Sequence, residues 1–281
     1  MKTHVEVDWA VRKPTRMEFE MPEFDIVAAV NNDRVLAENL LASPLVRKNS
    51  GRLCVERGFL SAGAAYNAGL DETEADIVAF VHQDVYLPKN WERDFITGLS
   101  KIEEIDPNWG VVGIYGVKAN GTHIGRAWSS GIDRELGGAF EMPVAVRAID
   151  ELVIILNRRS GLRFDEKLPG FHLYATDIAL SAMDKGLGVY VIHAPVVHNS
   201  VPVLSLSGAY THAYRYLKKK WRHLLPIVTT VTTISVTGWS LWRTRLRMAW
   251  FNGRQAQRKR VELESKKRTD PVEVAIVLGY E

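Results

Sequence analysis

The chain has 281 residues, of which 46% are hydrophobic and 25% charged, with a formal net charge of +3. That composition belongs to a folded domain and excludes disordered and fibrous classes. The length suits one large α/β domain, or a domain with an appendage, with a core that needs no disulfide staples.

Cys54 is the one cysteine, so no disulfide forms within the chain. Its place in an apolar run points to a buried, inert thiol rather than a nucleophile. The opening MKTHVEVDWAVRK has no apolar h-region, and a signal peptide is not expected. No run reaches about 18 continuous apolar residues, so no transmembrane span is expected either. Lys and Arg concentrate between Lys218 and Arg268, while the preceding residues are near balance. Such a stretch suits anionic lipid, nucleic acid or acidic glycan, or a solvated helix face.

In chain order, Phe24 to Val30 reads as a buried strand running into the polar Asn31-Asn32-Asp33. Helical periodicity follows from Arg34 to Leu45, stopping near Pro44. Arg52 to Val55 is a second strand. Ser61 to Leu70 is a helix of small residues with Ser61 as its N-cap. Asp76 to His82 is a third strand, ending in Gln83-Asp84, and Pro88 to Ile105 is a helix with Pro88 near its first turn. This alternation predicts a mostly parallel sheet with helices on both faces. Sheets of that kind bind ligands beyond the C-terminal ends of their strands. Asn31, Asp33, Glu56, His82, Gln83 and Asp84 stand at or just past those ends.

Trp109 to Val117 reads as a further strand. Lys118 to Gly138 reads as a long polar, Gly-containing loop carrying His123, Arg126 and Trp128, a length that points to function. Val144 to Ile149 and Leu152 to Leu156 read as strands around Asp150-Glu151. Phe164 to Phe171 is a turn-rich connection. Tyr174 to Lys185 is a helix ended by Gly186. Val189 to Val197 is a strand leading into His198, and Ser207 to Trp221 is a helix ending in Lys218-Lys219-Lys220. Residues 1–222 form the expected main domain and 223–281 a basic, partly helical extension.

The pairing of DIVAFVHQD with YATDIALSAMDKGLGVYVIHAPVVH carries the most chemistry. A divalent metal that holds a diphosphate needs oxygen and imidazole ligands from separate strand ends. Asp84 and His198 meet that need, against the plain alternatives of a turn residue and a strand-end histidine. No glycine-rich basic loop follows the first strand, which disfavours a nucleotidyltransferase. The absence of a GxGxxG there disfavours a dinucleotide oxidoreductase.

Six ordered blocks from Phe24 to Trp221 together resemble the GT-A fold, family 2-like bacterial glycosyltransferases. They are FDIVAAVNND, GAAYNAGL, DIVAFVHQDVYLPKNWERDF, RAIDELVIILNR, FDEKLPGFHLYATDIALSA and GLGVYVIHAPVVHNS. The resemblance implies transfer of a sugar from a nucleotide-sugar donor, UDP being the commonest, to a glycan or lipid-linked acceptor in surface polysaccharide synthesis. It implies an inverting, Mn²⁺- or Mg²⁺-dependent enzyme. It puts Asp33 near the base or ribose, Asn67 and Gly69 in the wall of the donor pocket, and Asp84 on the metal. His82 stands where the family's metal motif has its first acid. Asp150 falls near the donor sugar, and His198 on the metal or diphosphate. Asp177 takes the place of the catalytic base, with Thr176 ahead of it where the family has Glu. Arg126, Trp128 and His172 are weaker acceptor candidates, and Tyr115 is a further aromatic that could stack on a sugar.

The competing readings are a nucleotidyltransferase and a non-catalytic glycan-binding protein on the same fold. Nucleic acid is not an expected partner. The expected location is the cytoplasm, with the inner membrane face as an option. On a helix from Trp239 to Arg254, Trp239, Trp242, Leu246, Ala249 and Trp250 share one stripe beside Arg243, Arg247 and Arg254. That helix suits either a membrane interface or the flank of the main domain.

Overall fold

Two strands with apolar residues at almost every position, β1 (Phe24–Val30) and β3 (Ile77–Val81), lie inside the main sheet, and β2 (Leu53–Arg57) forms its edge. β1 pairs in parallel with β2 on one side and β3 on the other. Their side chains alternate between two cores. Phe24, Ile26, Ala28, Ile77, Ala79 and Val81 enter one, while Val27, Val78 and Phe80 enter the other. Burial on both faces is why these strands show no polar alternation. The computed structural model describes residues 23–48, 52–201, 203, 205–206, 208–253 and 270–281.

The helix expected from Arg34 to Leu45 is two short helices, α1 (Asp33–Glu38) and α2 (Pro44–Lys48), with a 3₁₀ turn over Leu40–Ala42 between them. Pro44 opens α2 instead of ending a helix, in the first-turn position where its missing N–H costs nothing. α3 (Ala62–Glu72) is capped as expected, the Ser61 hydroxyl accepting from the Ala64 N–H at 3.3 Å. β4 (Val85–Tyr86) and α4 (Trp91–Ile105) follow, and α4 buries Trp91, Phe95, Leu99 and Ile102.

Three expected strands break in two. Trp109 to Val117 becomes β5 (Trp109–Gly113) and β6 (Tyr115–Val117). The supposed loop after Lys118 holds a hairpin, β7 (His123–Ser129) and β8 (Arg134–Gly137). Val144 to Ile149 becomes β9 (Val144–Ala145) and β10 (Ala148–Ile149). After β11 (Val153–Asn157) and α5 (Tyr174–Asp184), Val189 to Val197 becomes β12 (Gly188–Val191) and β13 (Val196–His198). In each case the chain leaves one sheet for another at the break.

The seven-stranded sheet runs β2-β1-β3-β11-β5-β12-β9. β11 is antiparallel to both β3 and β5, and β12 is parallel to β5, so the sheet is mixed. A second sheet runs β10-β6-β7-β13-β4, with β8 added to β7. This switch sets β13 against β4, directly beyond the exit of β3.

α6 (Ala209–Lys220), the hairpin β14 (Ile227–Val228) and β15 (Thr233–Ile234), and α7 (Trp239–Gly253) continue the first core through Leu217, Ile227, Ile234 and Leu241. α8 (Pro271–Val277) returns to the second sheet, where Val274, Ala275 and Tyr280 cluster with Tyr86 and Val197. The division expected at 222/223 is therefore crossed by continuous packing. Arg254 lies outside the described residues.

Candidate active site

The exits of β1 and β3 are joined by one side chain. Gln83 Oε1 accepts from the backbone N–H of both Asn31 and Asn32, each at 3.1 Å, and its Nε2 donates to Asn31 Oδ1 at 2.6 Å. Asn32 in turn caps α1 through Oδ1. Next to this clamp opens a cleft of about 650 Å³. Asn31, Asp33 and Glu56 line it from the β1 and β2 exits, and His82, Gln83 and Asp84 from the β3 exit. Asp33 and Arg57 pair across it at 2.8 Å, both largely exposed. Six of the sequence candidates thus meet in one cavity. Tyr66, Phe59 and Phe171 also face it, and nothing in their local pattern singled them out.

Asp84 sits between two imidazoles. Its Oδ2 is 3.4 Å from His198 Nε2, and its Oδ1 is 3.7 Å from His82 Nδ1. The three candidate ligand atoms lie within 4.8 Å of one another. β13 delivers His198 by pairing it with Val85, and the Asn199 N–H donates to the Asp84 carbonyl at 2.8 Å. His82 Nε2 lies 2.5 Å from the Tyr174 hydroxyl, which fixes the ring from the start of α5.

Burial opposes ionisation of Asp84, but the hydrogen bond and charge of His198 and the charge of His82 outweigh it. Its carboxyl is held well below the usual carboxylate range. Burial pushes His82 down, with Asp84 opposing, so the ring is neutral at neutral pH. Burial also acts against His198, but its bond to Asp84 raises it on balance. An anionic oxygen and two imidazoles are a donor set that suits a first-row divalent cation better than the oxygen-seeking Mg²⁺. Three such ligands would leave coordination positions on a cation for a diphosphate.

A layer of acids lies behind this group. Asp150 acts electrostatically on both His82 and His198. Glu151 accepts from the Leu173 N–H and so closes the N-terminus of α5. Burial, with the charge of Asp150, pushes Glu151 up to about 8 despite these backbone hydrogen bonds. His172 is half-buried, with its ring edge-on to Tyr210 at 5.5 Å. Burial lowers its pKa, and its charge would oppose that of His82, so it stands beside the same group.

Other candidates are occupied elsewhere. Asp177 is 2% exposed, with Oδ1 accepting from the Trp221 indole at 2.7 Å and Oδ2 paired with Lys220 at 2.8 Å. Both oxygens face α6, and the residue does not line the cleft. In this arrangement Asp177 ties α5 to α6. Asn67 exchanges hydrogen bonds with the backbone of Phe164 and donates to Glu166. At Gly69 a Cβ would stand 2.3 Å from Val27 Cγ1, so its role is close packing of α3 on β1. Neither lines the cleft.

Arg126 donates to Glu135 at 2.6 Å and lies over the Tyr280 ring, while Trp128 packs into the same cluster. Both brace the returning C-terminal segment. Tyr115 is buried in β6. The Cys54 sulfur lies 3.3 Å from a Glu56 carboxylate oxygen and 3.4 Å from one of Glu72, either of which can accept its one proton, and burial together with those carboxylates pushes the thiol up to about 12, in keeping with an inert thiol.

The sequence profile of a glycosyltransferase-like family matches residues 53–221. The chain belongs to that family. The match spans the turn bearing Asp84, between β3 and β4, and the strand bearing His198. A curated relative from Fuscovulum blasticum, named only as an open reading frame (ORF 6) of an ATP synthase subunits region, is 30% identical over 130 residues. The alignment covers 43% of this chain and 50% of that protein, so the chain spans half of its relative's length. Among solved structures, GalNAc-T7 with UDP, GalNAc and Mn²⁺ aligns at 12% identity and a TM-score of 0.44, over 75% of this chain and 52% of that one. The mannosyltransferase PcManGT of Pyrobaculum calidifontis, with GDP-Man and Mn²⁺, aligns at 13% identity and a TM-score of 0.46. That match covers 73% of this chain and 65% of the other.

Proposed function

We propose that this glycosyltransferase-family chain moves a sugar from a nucleotide-sugar donor to an acceptor hydroxyl, with inversion, using a divalent cation held by His82, Asp84 and His198. The observation that carries the reading is the Asp84 carboxylate between two imidazoles at the mouth of the cleft. The cation, Mn²⁺ in preference to Mg²⁺, neutralises charge on the leaving diphosphate when bound. Asp33 and Glu56 accept hydrogen bonds from the nucleoside end of the donor, and Gln83 keeps the two strand exits in register. Asp150 faces the donor sugar.

The acceptor, a glycan or lipid-linked sugar of surface polysaccharide synthesis, approaches from the side of Phe171. His172 takes its proton: the ring is partly open to solvent and neutral, as a general base must be. Glu151 holds α5, and with it Tyr174 and His82, in place.

The test is a thermal-shift and turnover panel of sugar nucleotides with and without Mn²⁺. A true donor raises the melting temperature with the logarithm of its concentration, and nucleoside diphosphate is released. Asp84→Asn should abolish the Mn²⁺-dependent shift and leave the metal-free melting temperature close to wild type. Undiminished turnover in excess chelator would overturn the metal role, and no donor binding across the panel would overturn the transfer reading.

A further inference from the structure

α7 settles one alternative posed by its sequence and raises another. One face docks on the main domain. Leu241 is buried, Met248 packs on the first core, and Thr244 bonds to Thr232. Arg245 donates to the Leu206 carbonyl at 2.7 Å and to the Thr211 hydroxyl. The opposite face is apolar and faces water. Trp239 is 58% exposed, Trp242 49%, Leu246 47% and Trp250 61%. Their spacing of three and four residues makes a single stripe, and the Trp239 and Trp242 rings stack at 4.5 Å. Arg243 and Arg247 are exposed on the same side. Val236, just before the helix, is 67% exposed and lengthens the apolar edge.

Charge selects the occupant. From Lys185 to Val261 the sequence contains no Asp or Glu at all, while Lys and Arg recur from Arg215 onward. Arg215, Lys219 and Arg222, on and just after α6, are also exposed. A partner protein of ordinary mixed charge would gain little from so one-sided a surface, whereas an anionic bilayer complements it along its whole length. Tryptophans at an apolar–polar boundary, flanked by arginines, are the side chains that settle at headgroup depth. No described helix is long and apolar enough to cross a membrane, so the contact is with a surface.

We propose that the exposed face of α7, formed by Trp239, Trp242, Leu246 and Trp250 with Arg243 and Arg247, docks the protein on an anionic lipid bilayer. The inference stands independently of the sugar-transfer reading, because no residue of the cleft takes part in it.

Co-sedimentation of the full chain with vesicles tests it, comparing phosphatidylcholine alone with phosphatidylcholine mixed with phosphatidylglycerol. Wild type should pellet with the anionic vesicles and release in high salt. The Trp fluorescence should shift to the blue on binding. Arg243→Gln with Arg247→Gln should weaken binding about thirty-fold, at about five-fold per arginine near the surface. Trp242→Ser with Trp250→Ser should abolish pelleting while leaving the far-ultraviolet spectrum and the melting temperature unchanged. Equal pelleting on neutral vesicles, or wild-type pelleting by both double variants, overturns the proposal. So does a wild-type dimer in lipid-free sedimentation that the tryptophan substitutions dissolve, because the face would then be covered by a second copy.

Discussion

Glu151 shows what burial does to a carboxyl group. Glu151 is turned into the protein beneath α5, and burial beside Asp150 raises it to about 8. A folded-state value above the unfolded one, about 4.3 for Glu, means that the folded chain holds this proton more tightly. The associated stability is fully present below about pH 4.3 and is lost as the pH rises through about 8. Glu151→Gln, permanently neutral and still able to accept from Leu173, should flatten that part of the stability curve. The check is denaturant midpoints of wild type and variant across this window. Parallel curves would show that Glu151 does not carry the proton. The strand-exit residues were legible because buried strands announce their ends by a change from apolar to polar. Glu151 was visible as an acid, but its buried partners, Leu173 and Tyr174, come from a helix more than twenty residues away.

At the scale of elements, what failed to show in the sequence is mostly a matter of which face a residue takes. Asp177 does lie in the first turn of α5, as its sequence suggests. Helical position alone does not say which neighbour it meets, and here the neighbour is α6. Asp177→Ala would leave the Trp221 indole and one side of Lys220 without an acceptor. The loss should be about 2–3 kcal/mol of stability in chemical denaturation. Lys220 keeps Asp165 at 2.7 Å, which puts the cost toward the lower end for a buried pair. Turnover of the folded fraction should fall by less than about 10-fold, whereas His172→Gln should lower it by about 10² or more with donor affinity kept. The reverse ranking would make Asp177 the base. The hairpin of β7 and β8 was hidden for another reason. The inward positions of β7 are Gly125, Ala127 and Ser129, so its alternation is one of size rather than polarity. At Gly137 a Cβ would stand 1.9 Å from the Gly125 carbonyl oxygen, which only glycine avoids.

For the whole molecule, the C-terminal segment couples the tail to the site. Tyr280 is 2% exposed and its hydroxyl donates to Glu135 at 2.6 Å, the carboxylate that also receives Arg126. Glu281 accepts from the Tyr86 hydroxyl at 2.8 Å and from the Lys89 N–H at 3.1 Å. These contacts clamp β4, β7 and β13 together, and β13 is the strand that carries His198 to Asp84. Tyr280→Ala removes a buried ring from that clamp and should cost about 3–5 kcal/mol, the usual range for a large aromatic in a core. For a chain of this size that lowers the melting temperature by about 10 °C. Tyr280→Phe keeps the packing and loses only the hydroxyl, at about 1 kcal/mol. Because β13 is loosened, Mn²⁺-dependent donor stabilisation should weaken in Tyr280→Ala at temperatures where the variant is still folded, and Tyr280→Phe should retain it. A wild-type melting temperature for Tyr280→Ala would show that the tail is not part of the clamp. A lowered melting temperature with unchanged donor stabilisation would show that the clamp holds the fold without holding His198.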